Sequence, residues 1–187
     1  MKHLGTKKLE TERLILRRFT INDATDMFHH WAGDPAVTKY LTWPAHNSIE
    51  ASKGYLTALV DSYAQPNTYD WAIELKALGQ VIGSIGAVGC SDAAGSVQIG
   101  YCLGRPWWRQ GLATEAFSAV ITYLMEQVGA NRIEARHDPR NPSSGKVMEK
   151  CGLQYEGTLR ESDLNNQGLC DAAWYALLRK DYCRPGR

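Results

Sequence analysis

Little in this sequence would serve a membrane, a metal ion or a nucleic acid. Its most apolar run, about residues 119–125, is far shorter than the ~20 apolar residues that a membrane-spanning helix needs. The N-terminal eight residues are basic, yet no apolar stretch of the secretory-leader kind accompanies them. Cysteine is sparse and unpaired by pattern: Cys90, Cys102, Cys151, Cys170 and Cys183 make an odd set without a C-x-x-C pair, which points to reduced thiols in the cytoplasm. Charge of one sign is also missing. Lysine plus arginine number 21 against 20 aspartate plus glutamate, so no strong field draws the chain towards nucleic acid or an anionic membrane. Repeats, low-complexity tracts and linkers are absent as well. What remains is 187 residues, 44% hydrophobic and 22% charged, enough for one compact domain over 1–187 with a core at about 8–182.

Hydrophobic periodicity orders the elements. Residues 9–18 alternate, with Leu14 and Leu16 on one face, which predicts a first strand. Asn22 and Asp23 offer N-caps for a helix through Met27, Phe28 and Trp31 that stops at Gly33 and Pro35. Asn47 with Glu50 resembles a capping box opening a second helix, with Tyr55, Leu56, Leu59, Val60 and Tyr63 on its apolar stripe. Residues 69–76, 81–88 and 96–103 read as an antiparallel meander. A helix over 112 to about 128, a strand at 131–137, a helix over 142–150 and a hairpin of 154–164 with 169–178 complete the chain. The predicted class is α/β with a mixed sheet, in the order β-α-α-β-β-β-α-β-α-β-β.

The stretch Trp107-Trp108-Arg109-Gln110-Gly111-Leu112-Ala113-Thr114-Glu115-Ala116 is a polar turn running into an amphipathic helix. A helix N-terminus leaves amide N–H groups without partners and concentrates positive dipole, so it binds anions. Gly111 and the small Ala113 let a ligand come close to that backbone. A glycine before a helix is also an ordinary turn, and the stretch by itself does not decide between the two.

Four separated landmarks carry a resemblance: Thr11-Glu12-Arg13-Leu14-Ile15-Leu16-Arg17, Ile99-Gly100-Tyr101, Gly111-Leu112-Ala113-Thr114-Glu115-Ala116, and Asn141-x-x-Ser144 followed by Glu149-Lys150-Cys151-Gly152-Leu153. Their order and elements resemble the GNAT superfamily of acetyl-CoA-dependent N-acetyltransferases, and within it the RimJ/RimL type that acetylates ribosomal-protein N-termini. The resemblance implies a mixed six- or seven-stranded sheet split between the family's strands four and five. Three departures stand out. Trp108 occupies the place where Gln or Arg usually opens the phosphate signature; Gln98 stands where some relatives have a glutamate base; Met148 replaces a tyrosine that many members use to protonate the leaving thiolate. A carboxamide accepts no proton near neutral pH, so the base is another residue or a water.

The resemblance further implies that Trp108 and the backbone of Arg109, Gln110, Gly111, Leu112, Ala113 and Thr114 hold the CoA pyrophosphate, and that Cys102 and Leu103 pair with the pantetheine arm as an added strand. A backbone N–H near Leu103 would polarise the thioester carbonyl. Asn141 and Ser144 would meet the cofactor's amide and sulfur; Asn141 also suits a helix cap, and Ser144 either assists the departing thiolate or caps locally. Lys146 either touches the CoA 3′-phosphate or is an ordinary exposed lysine. For the base, Asp163 is the first candidate, Glu161 its rival and a water the third, set against the plainer reading that both acids solvate a hairpin near Arg160. His29-His30 and His137-Asp138 face apart by helix and strand geometry, so no metal or dyad is expected there. Trp31, Trp43, Trp71, Tyr40 and Tyr55 either line the acceptor cleft or fill the core.

Three functions fit: an acetyltransferase for a protein or peptide α-amine, one for a small amine such as a polyamine, amino acid or antibiotic, and a non-catalytic acyl-CoA sensor. The expected partners are acetyl-CoA and an amine, in a monomer or homodimer, with no metal.

Overall fold

The computed structural model describes residues 1–182, so Cys183 lies outside the described residues. Eight strands form one sheet in the order β1-β2-β3-β4-β5-β6-β8-β7. The first predicted strand divides in two, β1 (Leu9–Glu10) and β2 (Leu14–Arg17), because the Thr11 hydroxyl and N–H both bond the Leu14 carbonyl and turn the chain. That break raises the strand number above the six or seven expected. Leu14 and Leu16 are fully buried, as their alternation requires. The meander follows as β3 (Asp70–Leu75), β4 (Gln80–Ser91) and β5 (Ser96–Leu103), with an extra residue at Val88 bulging β4.

Between β2 and β3 lie four short helical pieces and one long one. Thr20, not Asn22 or Asp23, begins the first turn; Asp23 sits three residues on and accepts the Thr20 N–H at 2.7 Å. The chain then passes through α1 (Ala24–Met27) and a π-helical turn, Phe28–Ala32, before α2 (Pro35–Thr38). Helix α3 (Ile49–Ser62) is capped by Ser48, whose hydroxyl accepts the Ala51 N–H. The one-residue shift from Asn47 removes the expected capping box. On α3, Leu56 is fully buried in the core, while Tyr55 is 47% exposed.

After β5, helix α4 (Leu112–Thr122) continues through a π turn, Tyr123–Val128, and ends on left-handed Gly129. Then come β6 (Arg132–His137), α5 (Pro142–Lys150), the hairpin of β7 (Gln154–Asn165) and β8 (Gly168–Leu178), and a last turn, α6 (Arg179–Tyr182). One sheet face packs Trp71, Ile73, Ile99 and Leu103 against Phe117, Val120 and Met148 of α4 and α5. The opposite face packs Ala72 and Val81 against Met27, Trp31 and Leu56 from the early helices.

One pair of neighbours is parallel, β5 with β6, and it is short: Ser96 to Gln98 face Arg132 to Glu134, and beyond them the strands part. This is the split that the resemblance implies, falling between β5 and β6 in this chain. Truncation of the buried side chain on the other face should be costly. Leu56→Ala is expected to lower the unfolding free energy by about 2–5 kcal/mol in urea titration.

Candidate functional site

The polar turn takes its shape from two left-handed residues, Arg109 (φ 61°) and Gly111 (φ 77°). The first helical bond of α4 joins the Glu115 N–H to the Gly111 carbonyl, so the amides of Leu112, Ala113 and Thr114 precede it. No side chain caps this end. The Glu115 carboxylate holds the turn from behind: it accepts from the Thr11 hydroxyl (2.6 Å), the Arg13 N–H (2.9 Å) and the Arg13 Nε (2.7 Å). Arg13 also donates to the Gln110 carbonyl at 3.0 Å. Two landmarks a hundred residues apart are thus one structural unit. Burial pushes the Glu115 carboxyl up, but the bonds from Thr11 and Arg13 outweigh it and the group lies below its ordinary range. With open amides, helix dipole and the Arg13 cation together, the turn fits a pyrophosphate. Arg13 was legible only as part of a motif, not as a member of the site.

Leu103 and Cys102 take different parts. The Gly104 N–H bonds the Ile82 carbonyl at 2.9 Å, which puts Ser84 and Cys102 in a hydrogen-bonded pair by the two-residue alternation of antiparallel strands. The main-chain groups of Tyr101 and Leu103 therefore face the split, and those of Cys102 face β4. Cys102 is corrected on this ground: its backbone is engaged within the sheet and cannot pair with an added strand. Its sulfur lies 3.3 Å from the Ser84 hydroxyl, and burial raises the thiol to about 11. Trp108 reaches back to the split, its indole N–H donating to the Leu103 carbonyl at 2.7 Å. Its ring is half exposed, so it braces the turn against the strand edge.

Across the split stands α5. Asn141 occupies its N-cap position but makes no side-chain cap bond, so the plain capping role is not taken up. The Ser144 hydroxyl lies 3.0 Å from the Tyr101 hydroxyl, which donates to the Ser144 carbonyl at 2.8 Å. Tyr101 thereby joins β5 to α5 over the gap, and burial pushes its phenol well above the ordinary range. Lys146 is exposed one turn away.

A cleft of about 520 Å³ runs through the split to the opposite sheet face, where Tyr40, Trp43, Tyr55, Asp70 and Asp163 line it with Gln98. Trp31 and Trp71 do not; both are fully buried core. The hairpin tip roofs this part, because Asn166 donates through its side chain to the carbonyls of Thr38 and Trp43 and through its N–H to that of Leu41. Asp163 is gripped by Arg136 at 2.6 and 3.0 Å, and that guanidinium chiefly holds its carboxyl below the usual range. It is an ionised, paired group, poorly suited to take up a proton near pH 7. Glu161 lies on a bulge at φ 47° and lines a separate surface hollow with Arg160 and Asp171. Asp138 is bound by Arg140 and Asn165 and driven down to about 2, chiefly by Arg140. His137 turns its Nδ1 to the Asp138 carbonyl oxygen, at 2.8 Å, so the two form no dyad. Asp70 escaped the sequence reading; its only signal was a carboxylate opening the apolar run Asp70-Trp71-Ala72-Ile73. Among the described residues no group of three His, Cys, Asp or Glu side chains could hold a metal ion.

Removing the Glu115 brace should loosen the turn without touching the core. Glu115→Ala is expected to weaken CoA binding about tenfold, or about 1.4 kcal/mol, by calorimetry. An unchanged Kd would show that the turn holds its shape unaided.

The family model described as "Acetyltransferase (GNAT) domain" matches residues 13–154. The uncharacterized N-acetyltransferase p20 of Bacillus licheniformis is 32% identical over 174 residues, 93% of this chain and 97% of p20. The [ribosomal protein uS5]-alanine N-acetyltransferase of Escherichia coli (strain K12) is 33% identical over 89 residues, 48% of this chain and 45% of that protein. Among solved structures, the microcin C7 self-immunity acetyltransferase MccE in complex with acetyl-CoA and AMP has the same fold, with a TM-score of 0.79 at 20% identity over 90% of this chain and 93% of its own. A family match across most of the chain joins an uncapped helix N-terminus and a split sheet: the chain belongs to the GNAT acetyltransferases and is an acetyl-CoA-dependent N-acetyltransferase.

Proposed function

We propose that the acceptor is a protein or peptide N-terminal α-amine, attacked directly in a ternary complex. The supporting observation is the likeness to the uS5-alanine N-acetyltransferase, together with a roofed cleft that carries carboxylates at Asp70, Asp138 and Asp163. An ammonium group entering beneath the Asn166 roof meets negative charge and the aromatic faces of Tyr40 and Trp43. A second reading, a small-molecule amine, draws on the size of the cleft, since about 520 Å³ lies within the range of small-ligand pockets.

In this reading the amides of Arg109 to Thr114, with Trp108 and Arg13 behind them, hold the pyrophosphate of acetyl-CoA. The co-substrate supplies an activated thioester. The Leu103 N–H, facing the split, polarises the thioester carbonyl, a contribution of about 3 kcal/mol to the barrier. The free Asn141 carboxamide orients the pantetheine arm. Ser144, backed by the Tyr101 hydroxyl, donates to the departing sulfur; the demand is modest because a thiol of pKa about 8.5 leaves readily. Lys146 stands where a 3′-phosphate could be met. Asp163 is assigned to steadying the incoming ammonium, with Arg136 fixing its orientation.

Purified protein given labelled acetyl-CoA with peptides of varied N-terminal residue and with small amines tests the reading. Label on peptide α-amines is expected; transfer confined to small amines would establish the second reading instead. Ser144→Ala is expected to lower kcat about tenfold with little change in the KM for acetyl-CoA, and an unaltered kcat would remove the role given to Ser144.

A further inference from the structure

Three carboxylates line the cleft, and two are pinned by arginine. Asp163 is held by Arg136 and Asp138 by Arg140. Among the described residues Asp70 has no cationic partner, and its Oδ1 is buried without any hydrogen bond. Its main chain, by contrast, is fully engaged: the N–H donates to the Thr6 hydroxyl, and the carbonyl accepts from the Tyr63 hydroxyl at 3.0 Å. The strand is locked while the carboxyl is left free to react.

The register supplies a path. Asp70 pairs with Gly86 on β4, and Gly86 pairs with Gly100 on β5. These three positions form one row across the sheet, on the face opposite α4, and two of them have no side chain. The Asp70 carboxyl leans over the first glycine: a Cβ at Gly86 would lie 2.9 Å from its Cγ and Oδ2. From there to Gly100, beside the Tyr101 and Leu103 edge, is one strand spacing, about 5 Å, which one water bridges. The row is a trough leading from a bare carboxylate towards the place where the thioester would lie, bounded at Gly100 by the exposed Val88 side chain, whose Cγ1 would stand 3.0 Å from a Cβ there.

We propose that Asp70 takes the proton from the acceptor's ammonium group through this trough, and so is the general base that Gln98 cannot be. The inference rests on the seat given to the thioester at Leu103. In the step, an ammonium R–NH3+ gives one proton to the Asp70 carboxylate and becomes R–NH2. The amine lone pair forms the N–C bond, the C–S bond breaks with its electrons on sulfur, and a second nitrogen proton passes to the thiolate. CoA–SH and the acetylated amine leave, and Asp70 returns its proton to solvent.

Burial raises the Asp70 carboxyl to about 7, within roughly one unit of an α-ammonium at about 8, so proton exchange between them is nearly balanced. The titratable groups that sense its charge are Tyr55 on α3, Tyr63 just past its end and Cys102 on β5, each raised by desolvation first and by Asp70 in addition, hence neutral. From β4 come only Ser84 and Gly86, and from the N-terminal segment Thr6. The sign for stability follows. Between about pH 4 and 7 the unfolded chain has released this proton while the folded chain keeps it, so stability falls as pH rises through that window. Asp70→Asn removes the fall and should unfold at a higher Tm than wild type at pH 8, which also shows that the variant folds.

Two measurements decide the matter. Carboxyl 13C shifts of the full chain without ligand should show one signal titrating near 7, absent in Asp70→Asn. With an alanyl peptide and tyramine as probes, wild-type kcat/KM should rise through an acid limb near 7 and level off. Asp70→Asn should lose at least tenfold at pH 7, follow only the rise in free amine, and approach wild type at high pH. An Asp70 signal titrating near 4, or a loss of rate equal at every pH, would overturn the proposal. Transfer to tyramine alone would defeat the α-amine reading but leave the Asp70 profile to be read on that probe.

Discussion

The parting of β5 from β6 is the constraint on which the rest of the site depends. Parallel strands gain stability by continuing their ladder, yet here the ladder ends after Gln98 and Glu134. The main-chain groups of Tyr101 and Leu103 are left facing a gap inside the sheet, where an unpaired polar group is costly unless a partner arrives. Part of the demand is met internally, by the Trp108 indole on the Leu103 carbonyl. A ligand with its own amides completes the set. The same gap lets one cleft connect the two faces of the sheet.

Around that gap, charges are distributed by partner rather than by type. Glu115 is half-buried behind the turn and satisfied by Thr11 and Arg13, so it acts as a strut that shapes the turn. Asp138 and Asp163 are held ionised by arginines. Asp70, chemically the same as these, is buried without a cation beside it, and its proton affinity moves the other way. Three aspartates in one cleft thus have distinct proton affinities, and the difference arises from which cation the fold brings within reach.

Much of this was legible in the sequence because it is local. The Gly111 turn, the meander, the α5 start at Pro142 and the hairpin all follow from short patterns of glycine, proline and alternation. The misses come from tertiary context. Thr11 broke the first strand by bonding Leu14, and Ser48 displaced Asn47 as a cap by a single residue. Cys102 and Leu103 are neighbours in sequence but differ in role, because pairing parity is set by the Gly104 bond to Ile82. Asp163 looked like a base until Arg136, 27 residues away in sequence, was seen to hold it. Asp70 was invisible for the converse reason: what distinguishes it is the cation it lacks and the two glycines in its row, one of them on a strand thirty residues away.

Amide hydrogen exchange, residue by residue, with and without CoA, tests the central claim most directly. If the split edge of β5 receives the pantetheine arm, CoA should slow exchange at Tyr101 or Leu103 and in the first turn of α4, while Cys102, already bonded to β4, changes little. Protection at the turn alone, with Tyr101 and Leu103 exchanging as before, would contradict the account.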